Sequence, residues 1–255
     1  MANNNILNRC NSKHPLPNPN NLLERRNKME TNITIGRNKN KHLKIDLKNY
    51  PNILITGLDD YSKSDLVSNI LYELISKNKK EEVKILPIDV KGIDYKIYDN
   101  SSHFISPIIK ETKYIPEVLK GLLKEIETRE KAPDLSKYPL IITLISEFDD
   151  LMLEEPKEIL PLLEEILEKG RNVNIYTILS TLYLDEENYQ KYIYRHFDII
   201  ASFFDRSKSK YNKFKFTIPN DKAFNLKSKD NKVNIKLKNI TISTNKIEQM
   251  LHFDK

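Results

Sequence analysis

Between Asn52 and Tyr72 the chain carries residues that could hold a phosphate group. Gly57 is followed by Lys63 and Ser64 at the spacing of a loop whose backbone N–H groups cradle phosphate. In such a loop the lysine reaches the outer phosphates and the hydroxyl meets Mg²⁺. The pattern G-x-x-x-x-G-K-[ST] also needs a glycine directly before the lysine, and this chain has Ser62 there. Asp60, Tyr61 and Ser62 thus stand where glycines would let the backbone turn inward, and a left-handed non-glycine residue costs about 1 kcal/mol or more. Asp59 and Asp60 bring carboxylates to the place a triphosphate would occupy. At an effective dielectric of about 20 and about 5 Å, each such like-charge pair repels by roughly 3 kcal/mol. Lys63 can offset one of these charges, or pair with Asp59 or Asp60 outright. Two readings stay open for Lys63 and Ser64. They are solvated residues opening an ordinary helix, with Ser62 as N-cap and Asp65 complementing the dipole, or they keep a residual anion contact.

Around this loop the sequence alternates strands and helices. Ile53, Leu54 and Ile55 form the short apolar run of a buried parallel strand, and Leu66, Val67, Ile70, Leu71, Leu74 and Ile75 form a helical stripe. Asn32–Gly36 and Leu43–Leu47 alternate with period two, as a hairpin does. Val83–Asp89 reads as a second parallel strand, followed by an extended stretch from Tyr95 to Ile109. Ile115–Lys131 is a helix with Pro116 in its first turn. Leu140–Ser146 is a strand, Ile159–Lys169 a helix stopped by Gly170, and Asn174–Thr181 a strand. A short helix at Glu186–Tyr194 and a strand at Asp198–Phe204 follow. From Lys213 onward short strands dominate, among them Val233–Leu237 and Ile240–Ser243, and Ile247–Leu251 forms a last helical turn. This rhythm predicts one α/β domain over residues 31–255. It is a three-layer sandwich with a mainly parallel sheet, helices on both faces and the late strands as an antiparallel edge. Residues 1–30, rich in Asn and carrying Pro15, Pro17 and Pro19, predict a flexible arm or linker in which Leu22 and Leu23 dock locally.

Composition narrows the class of protein. The 255 residues suffice for a sizeable core, and the net charge of +6 comes from interspersed signs. That charge is too diffuse to indicate nucleic acid by itself. The Lys/Tyr-rich stretch Asp205–Lys215 reads as an exposed basic loop, with nucleic-acid contact as its alternative. Cys10 is the only cysteine, so a reducing compartment is expected. No run of about 18 apolar residues is present. The chain is therefore expected to be cytoplasmic, either alone or as the cytoplasmic portion of a longer cell-membrane protein. His14, His42, His103, His196 and His252 show no metal-ligand spacing, so no metal site is expected.

With these elements in order, the chain resembles the FtsK/SpoIIIE family of P-loop motor domains from about Ile33 to Ser243, which implies a RecA-like P-loop NTPase core. Gly57–Ser64 is similar to the family's Walker A loop. Lys84-Ile-Leu-Pro-Ile-Asp-Val-Lys91 resembles its second strand, which ends in Asp-Pro-Lys, with Val90 in place of the proline. Tyr138–Met152 resembles the Walker B strand, where the family has Asp-Glu-Phe and this chain has Ser146-Glu147-Phe148. Leu179-Ser-Thr-Leu-Tyr183 falls where the family carries Ala-Thr-Gln-Arg, which puts Leu182 at the sensor glutamine. The resemblance assigns the Mg²⁺-organising carboxylate to position 146 and the water-polarising one to Glu147. A serine at 146 is a poor substitute for the first, and the Leu182 side chain cannot hydrogen-bond.

Gly57, Asp59, Asp60, Ser62, Lys63, Ser64, Ser146, Glu147 and Leu182 are therefore read as a relic nucleotide site. The chain is read as a pseudo-ATPase without catalytic residues, and ATP and Mg²⁺ are expected to be absent or weakly bound. Glu147 is expected to be a surface or ion-paired residue, Asp149 and Asp150 to lie in a solvated loop, and Asp89 and Lys91 to pair locally. Within the family, the degenerate motifs most resemble the last domain of the type VII secretion coupling proteins EccC and EssC. That resemblance implies recognition of small helical secreted proteins, or regulation, beside neighbouring FtsK-like ATPase domains of the same polypeptide. The alternatives are a DNA-translocating module of a mobile element or segregation system, and a structural domain packed on a neighbouring motor. Apolar patches beside the first helix or around Leu182-Tyr183-Leu184 are the candidate binding surfaces.

Overall fold

Asn52–Gly57 forms β3, with Asn52 to Thr56 buried, as the unbroken apolar run requires. It pairs in parallel with β6 (Ile175–Thr181) on one side and β7 (Ile199–Phe203) on the other. β6 continues to β5 (Leu140–Ser146), and β5 to β4 (Val83–Asp89), both in parallel. After β3 the chain therefore travels to the far edge of the sheet and walks back across it. The computed structural model describes residues 29–38, 41–57, 60–154, 156–182, 193–203, 213–218, 233–238 and 244–253.

Beyond β7 the sheet becomes antiparallel. β8 (Lys213–Ile218) pairs with β7, β9 (Val233–Lys238) with β8, and β9 meets β1 (Asn32–Asn38) at Arg37 and Lys238. β1 and β2 (Lys41–Asp46) form the expected hairpin, giving the order β2-β1-β9-β8-β7-β3-β6-β5-β4. The late strands were expected as the edge, but they lie between the parallel strands and the hairpin, which is outermost. Thr34 in β1 has no partner on β9 and turns to helix α1 (Asp60–Lys77). Its N–H donates to Glu73 Oε2 at 2.9 Å, and its carbonyl accepts from Asn69 Nδ2.

Alternation along the strands divides the core into two layers. Ile53 and Ile55 face the side covered by α1, whose Leu66, Ile70, Leu71 and Leu74 are buried with Ile247 and Leu251 of α5 (Thr244–Phe253). Leu54 faces the other side with Leu119, Leu122 and Ile126 of α2 (Ile115–Glu130). Phe148 and Leu151 of α3 (Phe148–Glu154) and Leu163 and Ile166 of α4 (Pro156–Lys169) complete that layer. This is the predicted three-layer α/β sandwich.

Several boundaries differ from the sequence reading. α4 starts three residues earlier, at Pro156, because a proline suits a first helical turn, and α5 is longer than one turn. The stretch after β4 contains a 3-10 turn at Lys96–Tyr98 and then runs along the outer edge of β4. Bridges pair Ile85 with Phe104 and Ile88 with Ile109, so the edge is covered. Of the predicted arm, only Met29 and Glu30 are described. Met29 packs on the core, and the Glu30 N–H donates to Asn78 Oδ1 at 2.7 Å. The predicted strand at 240–243, most of the predicted helix at 186–194 and most of the basic stretch at 205–215 lie outside the described residues.

Candidate functional site

In open α/β sheets, ligands bind beyond the carboxyl ends of the parallel strands, and the sequence-predicted residues converge there. Gly57 ends β3 with φ of +131°, and a Cβ at this position would lie 2.1 Å from the carbonyl oxygen of Phe203 in β7. Only glycine fits so close a backbone approach. Its N–H donates to the Leu182 carbonyl at 3.2 Å.

The chain enters α1 at Asp60, so Asp60, Tyr61 and Ser62 form the first helical turn. Ser62 is therefore inside the helix and buried, not an N-cap. Helical backbone thus occupies the stretch in which a P-loop would wrap its amides around phosphate. Lys63 is also buried rather than solvated. Its Nζ lies 3.0 Å from Asp60 Oδ1 and 3.4 Å from the Thr181 carbonyl. Asp60 is thus a partner of Lys63, as the sequence allowed, while Asp59 lies outside the described residues. Ser64 donates to Asp94 Oδ1 at 2.5 Å. Burial, with the charges of Asp89 and Glu147 adding to it, pushes the Asp94 carboxyl above its usual range.

The ends of β4 and β5 meet in register as Asp89 and Ser146. Ser146 Oγ donates to Asp89 Oδ1 at 3.0 Å. The same fully buried carboxylate accepts the N–H of Gly92 at 2.9 Å and that of Tyr95 at 3.3 Å. Asp89 does not pair with Lys91, because those backbone amides, held by the turn through Gly92 (φ +65°), already satisfy it. Lys91 goes instead to Glu147 Oε2 at 2.9 Å and Asp150 Oδ2 at 3.4 Å. The hydrogen bond to Glu147, more than any other contact, raises the lysine's pKa.

Glu147 joins β5 to α3 with φ of +52°, a left-handed conformation rare for a side-chain-bearing residue. It is ion-paired, as expected, and also buried. Asp149 and Asp150 lie in the first turn of α3, not in a solvated loop. Asp149 Oδ2 accepts both the Thr181 hydroxyl and the Leu182 N–H. Position 182 thus works through its backbone, bonded on one side to Asp149 and on the other to Gly57.

The structure brings Gly57, Asp60, Ser62, Lys63, Ser64, Ser146, Glu147 and Leu182 to the carboxyl end of the parallel strands. The sequence reading did not include Asp94 or the bridging role of Asp149. Asp94 follows Gly92 by two positions, and that glycine was the available sign of a turn able to carry a side chain back toward the loop. Among the described residues, no group of three or more His, Cys, Asp or Glu side chains could hold a metal ion.

Strand, loop and helix at Gly57–Ser64, with β5 ending at Ser146 and Glu147, define a P-loop NTPase fold. More specifically, residues 22–132 match the model of the FtsK/SpoIIIE family. This span takes in the Walker A position and the end of β4 and stops before β5. A DNA translocase FtsK from Borreliella burgdorferi is 28% identical over 161 residues, covering 55% of this chain and 20% of the relative. The chain thus spans about a fifth of that relative's length.

Among solved structures, the pCW3 conjugation coupling protein TcpA, in monomer form with ATPγS, superposes with a TM-score of 0.70 at 17% identity. The match covers 89% of this chain and 72% of that one. The cytoplasmic domain of the type VII secretion ATPase EccC from Thermomonospora curvata gives a TM-score of 0.69 at 15% identity, covering 88% and 31%. At these identities the likeness is one of fold. No helix among the described residues is long and apolar enough to cross a membrane.

Proposed function

We propose that this chain is a catalytically inactive FtsK/SpoIIIE-like domain of a type VII secretion coupling ATPase, contributing substrate recognition or regulation on the cytoplasmic side of the membrane. One observation carries the inactive part. At the position of the Mg²⁺-organising carboxylate stands Ser146, whose hydroxyl is bonded to Asp89. Asp89 already accepts two backbone amides besides that hydroxyl, and Glu147 is bound to Lys91. A general base must reach its water with a free carboxylate, and Mg²⁺ needs oxygens that are not already occupied. These residues do not fit a magnesium triphosphate. The likeness of fold to EccC, over 88% of this chain, supports the secretion setting. Partners of the proposed domain are small helical secreted proteins and neighbouring FtsK-like ATPase domains.

Isothermal titration with ATP and Mg²⁺ is expected to show no binding in the micromolar range, and a hydrolysis assay no phosphate release. A sub-micromolar Kd, stronger than about −8 kcal/mol, would overturn the reading. A second reading, a DNA-translocating module, is favoured by the relative named as a DNA translocase. It predicts duplex binding that weakens steeply with salt and DNA-stimulated hydrolysis. Pull-down with secreted helical proteins, run beside duplex DNA, separates the two.

A further inference from the structure

We infer that Asp60 is a built-in stopper of the relic phosphate site, its carboxylate standing where a ligand's anionic oxygen would neutralise Lys63. The inference rests on the inactive reading and names what keeps the anion out.

The Lys63 side chain is 4% exposed, while that of Asp60 is 59% exposed, and the two are one helical turn apart. A buried cation is thus capped from the solvent side by an exposed carboxylate of its own helix. A buried ammonium needs a counter-charge, and among the described residues Lys63 also meets a neutral carbonyl, that of Thr181. Asp60 is also the first residue of an 18-residue helix, where the field of the helix favours negative charge. Lysine and helix end both call for an anion at this point, and the chain supplies one covalently. Ser64, the next residue of the helix, donates its hydroxyl to another carboxylate of the chain, that of Asp94. An anion from solution must therefore displace a carboxylate tethered three residues from its target, whose effective concentration is far above that of free ligand.

The test is titration of inorganic pyrophosphate into the intact chain and its Asp60→Asn variant in phosphate-free buffer. The amide keeps the shape of the carboxylate and removes its charge. Asp60→Asn is expected to bind pyrophosphate at least about tenfold more tightly than the unmodified chain, a gain of about 1.4 kcal/mol. Adding Lys63→Met should abolish the gain. Asp150→Asn, which removes one negative charge from the Lys91 contact instead, serves as the charge-matched control and is expected to show no gain. A folded Asp60→Asn protein with unchanged affinity overturns the proposal. So does a gain that survives Lys63→Met or is matched by Asp150→Asn. If Asp60→Asn does not fold, Asp60→Ser, with a residue suited to helix starts, gives the same comparison. Tight binding of MgATP by the unmodified chain would overturn the inactive reading itself. Failure of the variant alone overturns only the stopper.

Discussion

Ser146 and Asp89 face one another at the ends of neighbouring strands, both with no exposed surface. Restoring the family's carboxylate with Ser146→Asp would set two buried acids against each other at hydrogen-bond distance. At an effective dielectric of about 20 and about 4 Å, the repulsion reaches roughly 4 kcal/mol when both ionise. Ser146→Asp is therefore expected to lower the urea midpoint substantially and to restore no hydrolysis. An unchanged midpoint would show that Asp89 had moved away. Asp94 gives a pH signature of opposite sense to an ordinary ion-paired acid. Its folded-state pKa lies above the ordinary carboxyl value of 3.8, chiefly through burial, so the folded protein binds the extra proton and ionised Asp94 opposes folding. That cost is fully present above the raised pKa and fades as the pH falls toward 3.8. Asp94→Asn, which can still accept from Ser64, is expected to stabilise the protein at pH 7 and to lose the advantage in acid. Urea melts at a series of pH values check it.

At the scale of elements, the hairpin depends on α1 where the sheet does not reach it. Thr34 is buried, and its N–H and carbonyl are met by Glu73 and Asn69. Glu73→Ala leaves that N–H without its acceptor, at a cost of about 1–3 kcal/mol. Amide exchange across 32–38 and 41–46 is expected to accelerate by about tenfold for each 1.4 kcal/mol lost, while β5 and β6 keep their protection. Uniform acceleration would mean that the hairpin is not an independent unit. Most of the elements were legible in the sequence. β3, β5 and β6 are buried apolar runs, and the stripe from Leu66 to Ile75 has one period. What escaped was set by distant partners. The hairpin's place outside β8 and β9 follows from pairing across the whole chain. The pairing of Asp60 with Lys63 follows from the helical turn that carries both. The partners of Lys91 are decided by Gly92, which folds the loop so that backbone amides reach Asp89 first.

For the molecule as a whole, the motif departures seen in sequence at 146 and 182 fall at strand ends that are bonded to their neighbours. Asp89 joins β4 to β5, Asp149 joins α3 to the end of β6, and Leu182 joins β6 to β3 through Gly57. At 146 the substitution that reads in sequence as a loss is, in three dimensions, an internal hydrogen bond, whereas at 182 the bonds are backbone ones that do not depend on the side chain. The sequence could name the positions because each is the end of a recognisable strand. It could not show which neighbours those positions reach.

The bond from the Asp149 carboxylate to the Leu182 amide, and from the Leu182 carbonyl to Gly57, has a mechanical consequence. Here any separation of the tips of β3 and β6 from α3 must break bonds made within the polypeptide itself, which stiffens this end of the sheet.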